Sequence, residues 1–531
     1  MPLGIRIGID VIGGLFGGIG AGGAPITFYA PMIDSFNGIR GDGSLTPTYS
    51  HGNNNNVTHE DHRGIVSNVG IAEPRFLGCR RMENLTAYAS SSTVSPSAFA
   101  VNPKMGKSVI CSFDVLIGGE VSITMGTDSL PVSFPAVAGK RYVTEPVVCN
   151  DTDFVMVVVV TGGSATNWMW EVVDPADPVP SEYVDNGVSY GALATGIKYS
   201  RYANGTVLNG REVVSTGTGA VISEGGYHAE PEVTELLLQN CQLYFSSTVW
   251  PYLGMSLPTV AYGSDLADDT GTRLIATADG GFITQSVISP QGQYTFALDI
   301  KAVSVDVGVA LTFIGTNPAI ALNIPASELS TTEFRRFYLK SGIDITDPIC
   351  AIVLGNADDE IIVSYTSCMQ TDSKVLSRIR TTAATVTRPQ TELTFSQADN
   401  IDTHNFDVSS DVVNKGGELN GTWLTANSAG ASSLVMGGSN APDTITVAVG
   451  VIQPGFLMSV SGAPSWSGAS KIRLINDPAL GLSGFALSVD GQTATTGQAR
   501  SWTAGTNLCV GWDDKASYPT FNGGIKRLKI R

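Results

Sequence analysis

Several groups of residues in this chain have the types and spacing to hold a ligand. The loop GSDLADDTGTRL carries Asp265, Asp268 and Asp269, and Asp279 follows shortly after. Clustered carboxylates among glycines offer the hard oxygen ligands that a structural calcium ion takes, although the order is not that of an EF-hand. The plainer reading is a solvated acidic turn. His51, His59, Glu60, Asp61 and His62 form a second cluster. HEDH is not HExxH and puts no two histidines on one helical face, so this stretch reads as a solvated loop. Aromatic side chains make a third group. Trp168 and Trp170 sit two apart and would share one face of a strand. Trp423, Trp466, Trp502 and Trp512 enrich the last part of the chain. Indole faces pack well against sugar CH groups and equally well inside a core. Trp168, Trp170, Trp466, Trp502 and Trp512 are the candidates for glycan stacking.

Nothing in the sequence supports a catalytic centre. There is no GxSxG, no Walker loop and no GxGxxG leading into a helix, and there are only 5 histidines. Glycoside hydrolysis needs two carboxylates in one site. The 48 acidic residues leave such a pair open. No repeating β-helix period is present to build a depolymerase cleft. The expectation is that the chain is not an enzyme.

The elements that would position these residues are strands. Hydrophobic residues make up 43% of the 531, charged residues only 15%, and there are 60 glycines. That is the composition of an ordered β-rich chain, long enough for about three or four domains. Cys111, Phe113, Val115 and Ile117 alternate with polar neighbours, and Val121, Ile123 and Met125 do so after Gly118-Gly119. This pattern predicts a hairpin with one buried face. Tyr294, Phe296, Leu298 and Ile300 alternate likewise, Glu360 to Tyr365 reads as a further strand, and FALSVDG runs a strand into an Asp-Gly turn. A net charge of −17 argues against a nucleic-acid groove. No apolar run reaches the ~20 residues needed to span a bilayer. The seven cysteines are scattered without a CxxC pair, which favours reduced thiols over a disulfide framework.

Ala-Glu-Pro occurs twice, at Ala72-Glu73-Pro74 and Ala229-Glu230-Pro231, each time before a long run of β-type sequence. Around the first copy stand Glu73-Pro74-Arg75-Phe76, Gly78, Arg80-Arg81 and Glu83-Asn84-Leu85. This resembles a connector of tailed-bacteriophage virion proteins, "G-E-A/P-R-F-x-G-A-R-R-x-E-N-L". Lys198-Tyr199, Gly219-Ala220-Val221-Ile222, Gly226-Tyr227 and Ala229-Glu230 resemble a second form of it, with Glu235 where that form has Asn. Pro180, Tyr183 and Gly187 keep the spacing of a module-closing segment, as do Thr382, Ala384, Val386, Thr387 and Arg388. LCVGWDD followed by FNGGIKRLKIR is similar to the last strands of a concanavalin-like (laminin-G-like) sandwich.

The resemblance implies an all-β chain of tandem β-sandwiches, two jelly rolls and a laminin-G-like sandwich, joined by irregular connectors. The expected divisions are a Gly-rich N-terminal anchor (1–23), a connector (24–85), a jelly roll (86–183), a linker (184–230), a second jelly roll (231–390) and the laminin-G-like sandwich (391–531). It also implies a virion-surface fibre or appendage, assembled in a bacterial cytoplasm. Its partners would be other virion proteins through the N-terminus, further copies of itself (a trimer is the usual fibre arrangement) and host-surface polysaccharide, with no nucleic acid, no membrane span and no cofactor beyond a structural calcium. Leu15, Phe16 and Ile19 are the candidate anchor residues. The alternatives are a purely structural decoration protein of the capsid or tail, or a glycan depolymerase.

Overall fold

The computed structural model describes residues 28–30, 32, 40–41, 47–50, 58–60, 66–70, 73–86, 99–100, 108–125, 132–148, 155–173, 178–188, 193, 195–217, 219–221, 225–244, 246–262, 270–316, 320–371, 378–379, 381–397, 400–401, 406–414, 421–428, 431–438, 444–449, 456–461, 470–476, 485–495, 505–512 and 521–530. The anchor candidates Leu15, Phe16 and Ile19 lie outside them. Among the described residues there is no α-helix, and a single 3₁₀ turn at Ala326–Glu328 interrupts the strands. The chain is all-β, built of antiparallel sheets stacked in pairs.

In the first sandwich the strand Ser108–Ile117 is central. Ser164–Val173 pairs along one side of it, and Arg141–Val143 along the other. The facing sheet runs Val132–Ala136, Gly119–Met125, Val155–Thr161, Phe99–Ala100. The predicted hairpin at Gly118-Gly119 is therefore a corner between two sheets. Ser108–Ile117 and Gly119–Met125 lie in different sheets and close over one core, to which both send apolar residues such as Val115 and Val121. Glycine is needed at this corner because a Cβ at Gly119 would come within 2.6 Å of the Thr161 carbonyl oxygen.

The second sandwich stacks two sheets in the same way. Glu360–Met369 is the centre of one, flanked by Thr270–Ile275 and Thr295–Ala302. The other runs Tyr252–Leu253, Phe282–Ser286, Ile349–Leu354, Val309–Ile314, Ile320–Ile324. The alternation at Tyr294 to Ile300 is a strand with its apolar residues in the core, as expected. In the third sandwich Phe485–Val489 turns at Asp490-Gly491, both at positive φ, into Gln492–Thr495. The Asp-Gly pair supplies the left-handed backbone a two-residue hairpin needs.

The stretches read as connectors are built into the sheets. Phe28–Ala30 pairs with Leu528 to Ile530, and Tyr227–Ala229 pairs with Gly523 to Ile525 along the same strand. Thr48–Ser50 adds to the edge of the opposite sheet through Glu392–Ser396. Within 184–230, Thr206–Asn209 and Glu212–Ser215 extend the first sandwich. Backbone donors and acceptors along an open sheet edge need partners, and these segments provide them.

Candidate functional site

The two Ala-Glu-Pro segments meet. Phe76 and Tyr227 form a β-bridge, and the His228 N–H donates to the Arg75 carbonyl at 2.9 Å. Arg75 and Glu230 form a fully buried ion pair at 2.6 Å, and Arg388 binds the same Glu230 carboxylate. Glu73 accepts from Arg81 at 2.7 and 2.9 Å, and from the Tyr199 hydroxyl at 2.9 Å. Burial pushes the Glu73 carboxyl up, but Arg81 and its other donors outweigh this and hold it below the usual range. Burial drives His228 down to about 3, with Arg75 and Arg388 adding to the effect, so it is neutral at pH 7. His59, expected on a solvated loop, is 4% exposed. Its Nε2 bonds the Cys79 carbonyl at 2.7 Å and its ring packs edge-on against Tyr199. The sequence suggested a loop because His59 is surrounded by polar residues; the burial comes from partners 20 and 140 residues away. This junction joins the sandwiches and is closed to solvent.

The predicted glycan-binding residues are dispersed. Trp168 and Trp170 are buried in the first core, with Trp168 packed on Phe113 at 4.8 Å. Two apart on one strand, both indoles face the core, so neither ring is available to a sugar. Trp512 is half-buried, and its indole N–H donates to the Leu393 carbonyl at 3.1 Å. Trp466 and Trp502 lie outside the described residues, as do Asp265, Asp268 and Asp269. Asp279 is exposed and accepts from the Ala357 N–H at 3.0 Å. The strand Thr270–Ile275 runs between the acidic loop and Asp279. Among the described residues no group of three or more His, Cys, Asp or Glu is placed to hold a metal.

One polar grouping on a sheet face does reach solvent. Along Ser108–Ile117, odd-numbered residues from Val109 to Val115 enter the core, so Ser112, Asp114 and Leu116 face outward. Arg141 is the direct cross-strand partner of Asp114 and binds it at 3.0 Å. The same guanidinium donates to Ser112 Oγ at 2.7 Å and to the Asn167 carbonyl at 3.2 Å. It lies 5.2 Å from the centre of the Tyr183 ring, which fixes its orientation. Asn167 sits at positive φ in the irregular part of its strand and donates its amide to the other Asp114 oxygen at 2.7 Å. The lower half of this face is covered by the closing segment. There the Ser181 N–H donates to Glu171, and Val184 packs on Met82 and Met169. Above it the Asp114 side chain remains 34% exposed, and beyond it Leu116 is 50% exposed. A carboxylate, a guanidinium and an amide thus meet on a rigid sheet, with an apolar side chain beside them. This set can accept and donate hydrogen bonds to a polyhydroxyl ligand. The sequence reasoning missed it, because Asp114, Arg141 and Asn167 become neighbours only through strand register.

No family model matches the chain, and a search of curated proteins gives no match. Among solved structures it is similar to domains LG4-5 of the mouse laminin α1 chain, at 10% identity and a TM-score of 0.21, covering 57% of this chain and 89% of that one. It is similar to the N-terminal CBM22-1-CBM22-2 tandem domain of Paenibacillus barcinonensis Xyn10C, at 7% identity and a TM-score of 0.20, covering 65% and 98%. It is also similar to Trypanosoma rangeli sialidase in complex with sialic acid, at 10% identity and a TM-score of 0.21, covering 91% and 95%. With scores this low, the architecture rests on the strand pairing described above. No helix among the described residues is long and apolar enough to cross a membrane.

Proposed function

We propose that this is a non-catalytic binding protein of a tailed-bacteriophage virion surface, a fibre or appendage that holds host-surface glycans through the first sandwich. The observation that carries the binding reading is the solvent-facing Asp114, held between Arg141 and Asn167. The phage assignment is supported by the sequence resemblance of the two connectors. The residues fixing Asp114 come from three adjacent strands, so the site needs little ordering on binding. A single shallow site of this kind is weak, and several copies on one particle would supply avidity. Attachment to the particle falls to the N-terminal segment 1–23. The test is a glycan array probed with the full chain and with Asp114→Ala. Binding that the substitution abolishes supports the reading; a blank array, or binding unaffected by the substitution, removes it. Antibody labelling of purified phage particles checks the location, with label on tail tips or projecting fibres expected.

A second reading, a structural decoration protein, is favoured by the buried ionic junction. Arg75, Glu230 and Arg388 join segments from three parts of the chain without facing solvent, as a load-carrying joint requires. Label spread over the capsid, with loss of particle stability when the protein is omitted, would support it.

A further inference from the structure

We infer that the ligand of the first sandwich is an uncharged sugar whose hydroxyls flank a methyl-bearing group, either an N-acetyl substituent or the methyl of a 6-deoxyhexose. This rests on the binding reading above and goes further by assigning the chemical class. Two features of the site carry it.

The first is charge. Arg141 is committed to Asp114, Ser112 and the Asn167 carbonyl, and its side chain is only 13% exposed. Its Nε has no hydrogen-bond partner but is buried, so the guanidinium offers no accessible edge to grip a sugar carboxylate in the two-pronged fashion that arginine favours. The exposed member of the pair is the Asp114 carboxylate, which repels an anionic sugar and accepts from hydroxyls. The whole chain, at −17, adds to that repulsion.

The second is the apolar neighbour. Leu116 lies two residues beyond Asp114 on the same face, about 7 Å along the strand. It is half exposed, and the nearby Ile117 and Val137 are 60% and 57% exposed. Val137 lies beside the Gly118 corner, where an added Cβ would meet its Cα at 3.8 Å. Isolated exposed aliphatics are ordinary on a protein surface. Here Leu116 shares a face with a set of oriented hydrogen-bonding groups, while Ile117, the next residue along the strand, points to the opposite face. About 7 Å is the distance across one hexose ring with its substituent. A sugar bonded to Asp114 and Asn167 would therefore bring a substituent on its far side against Leu116. A hydroxymethyl or bare hydroxyl there loses water without compensation, whereas a methyl gains apolar contact.

The test uses the full chain and multivalent sugar conjugates in matched pairs, read by biolayer interferometry. N-acetylglucosamine is compared with glucose, L-rhamnose with L-mannose and L-fucose with L-galactose. Sialic acid and glucuronate serve as the anionic arms. We expect at least one methyl-bearing sugar to bind about four- to tenfold tighter than its partner, the size of one buried methyl or slightly more. Which pair shows the difference tells the N-acetyl from the 6-deoxy source. The anionic sugars should bind no better than glucose. Leu116→Ser should shrink the ratio within the pair towards one, and equal urea midpoints for variant and parent exclude unfolding as the cause. Equal affinities within every pair, tighter binding of an anionic sugar, or a ratio untouched by Leu116→Ser would overturn the inference while leaving glycan binding itself in place. If no conjugate binds at all, the inference falls together with the reading beneath it.

Discussion

The first and second sandwiches carry the same device in two states. In each, an aspartate and an arginine face each other across paired strands, Asp114 with Arg141 and Asp299 with Arg336. In each, the guanidinium lies near a tyrosine ring, Tyr183 at 5.2 Å and Tyr365 at 5.5 Å. The second sandwich then adds Arg378, which comes from its closing segment and binds Asp299 at 2.5 Å. That arginine brings Asp299 to 1% exposure, against 34% for Asp114. Burial raises the Asp299 carboxyl, but Arg336 and Arg378 overcome this and hold it below the usual carboxylate range. The same pair therefore serves as part of the fold when the closing segment covers it, and as an accessible surface when the segment stops short.

That contrast can be broken most forcefully at Asp299. Asp299→Ala would leave two guanidiniums confronting each other in a largely buried place and should cost about 3–5 kcal/mol, seen as a lower urea midpoint. Glu230→Ala at the junction should cost a similar amount, because Arg75 and Arg388 would lose their shared carboxylate.

A pH series sharpens the comparison further. Glu235 is buried in the same sandwich and accepts from Tyr365 Oη at 3.0 Å and from the Cys368 N–H at 2.9 Å. Burial lifts its carboxyl from 4.5 to about 7, against the pull of these donors. Between those values the unfolded chain releases a proton that the folded chain keeps, so stability falls as pH rises from 4.5 through 7. The loss should reach up to about 3 kcal/mol, and Glu235→Gln should flatten it in denaturation midpoints collected from pH 5 to 8. Asp299 works in the opposite sense. Its depressed carboxyl contributes stability above 3.8 that is lost as pH falls through its lower folded value. The smallest stability effect belongs to the open pair. Asp114→Ala should change the urea midpoint by under about 1 kcal/mol, since the group is a third exposed. Its effect should appear in glycan binding instead.

Strand-forming segments were legible in the sequence wherever alternation was clean, as at Tyr294 to Ile300 and at Phe485 to Gly491. Pairing partners were not. Alternation on both sides of Gly118-Gly119 shows which residues face a core, but is silent on whether two strands share a sheet or face each other across it. The Asp–Arg pairs span 27 and 37 residues, and no local pattern marks them. The Ala-Glu-Pro repeat was visible as a repeat. Its consequence was not, because Glu230 takes its arginines from positions 155 residues earlier and 158 later. Tryptophan suggested sugar binding by its type alone, and the two-residue period that puts Trp168 and Trp170 on one face does not say whether that face is the core or the surface.

The pairing of Phe28–Ala30 with Leu528 to Ile530 has a consequence for biosynthesis. The strand made early pairs with Arg40–Gly41 on one side, but its other edge has no partner until residues 528–530, about 500 residues later, have left the ribosome. At about 5–20 residues per second that wait is on the order of 25–100 s. The first two sandwiches draw their sheet partners from within residues 80–388 and can close as they emerge. The third cannot, and the buried junction that depends on it closes last. A ribosome stalled before residue 523 would hold a chain with two finished modules and a single exposed clasp, ready to be recognised as incomplete.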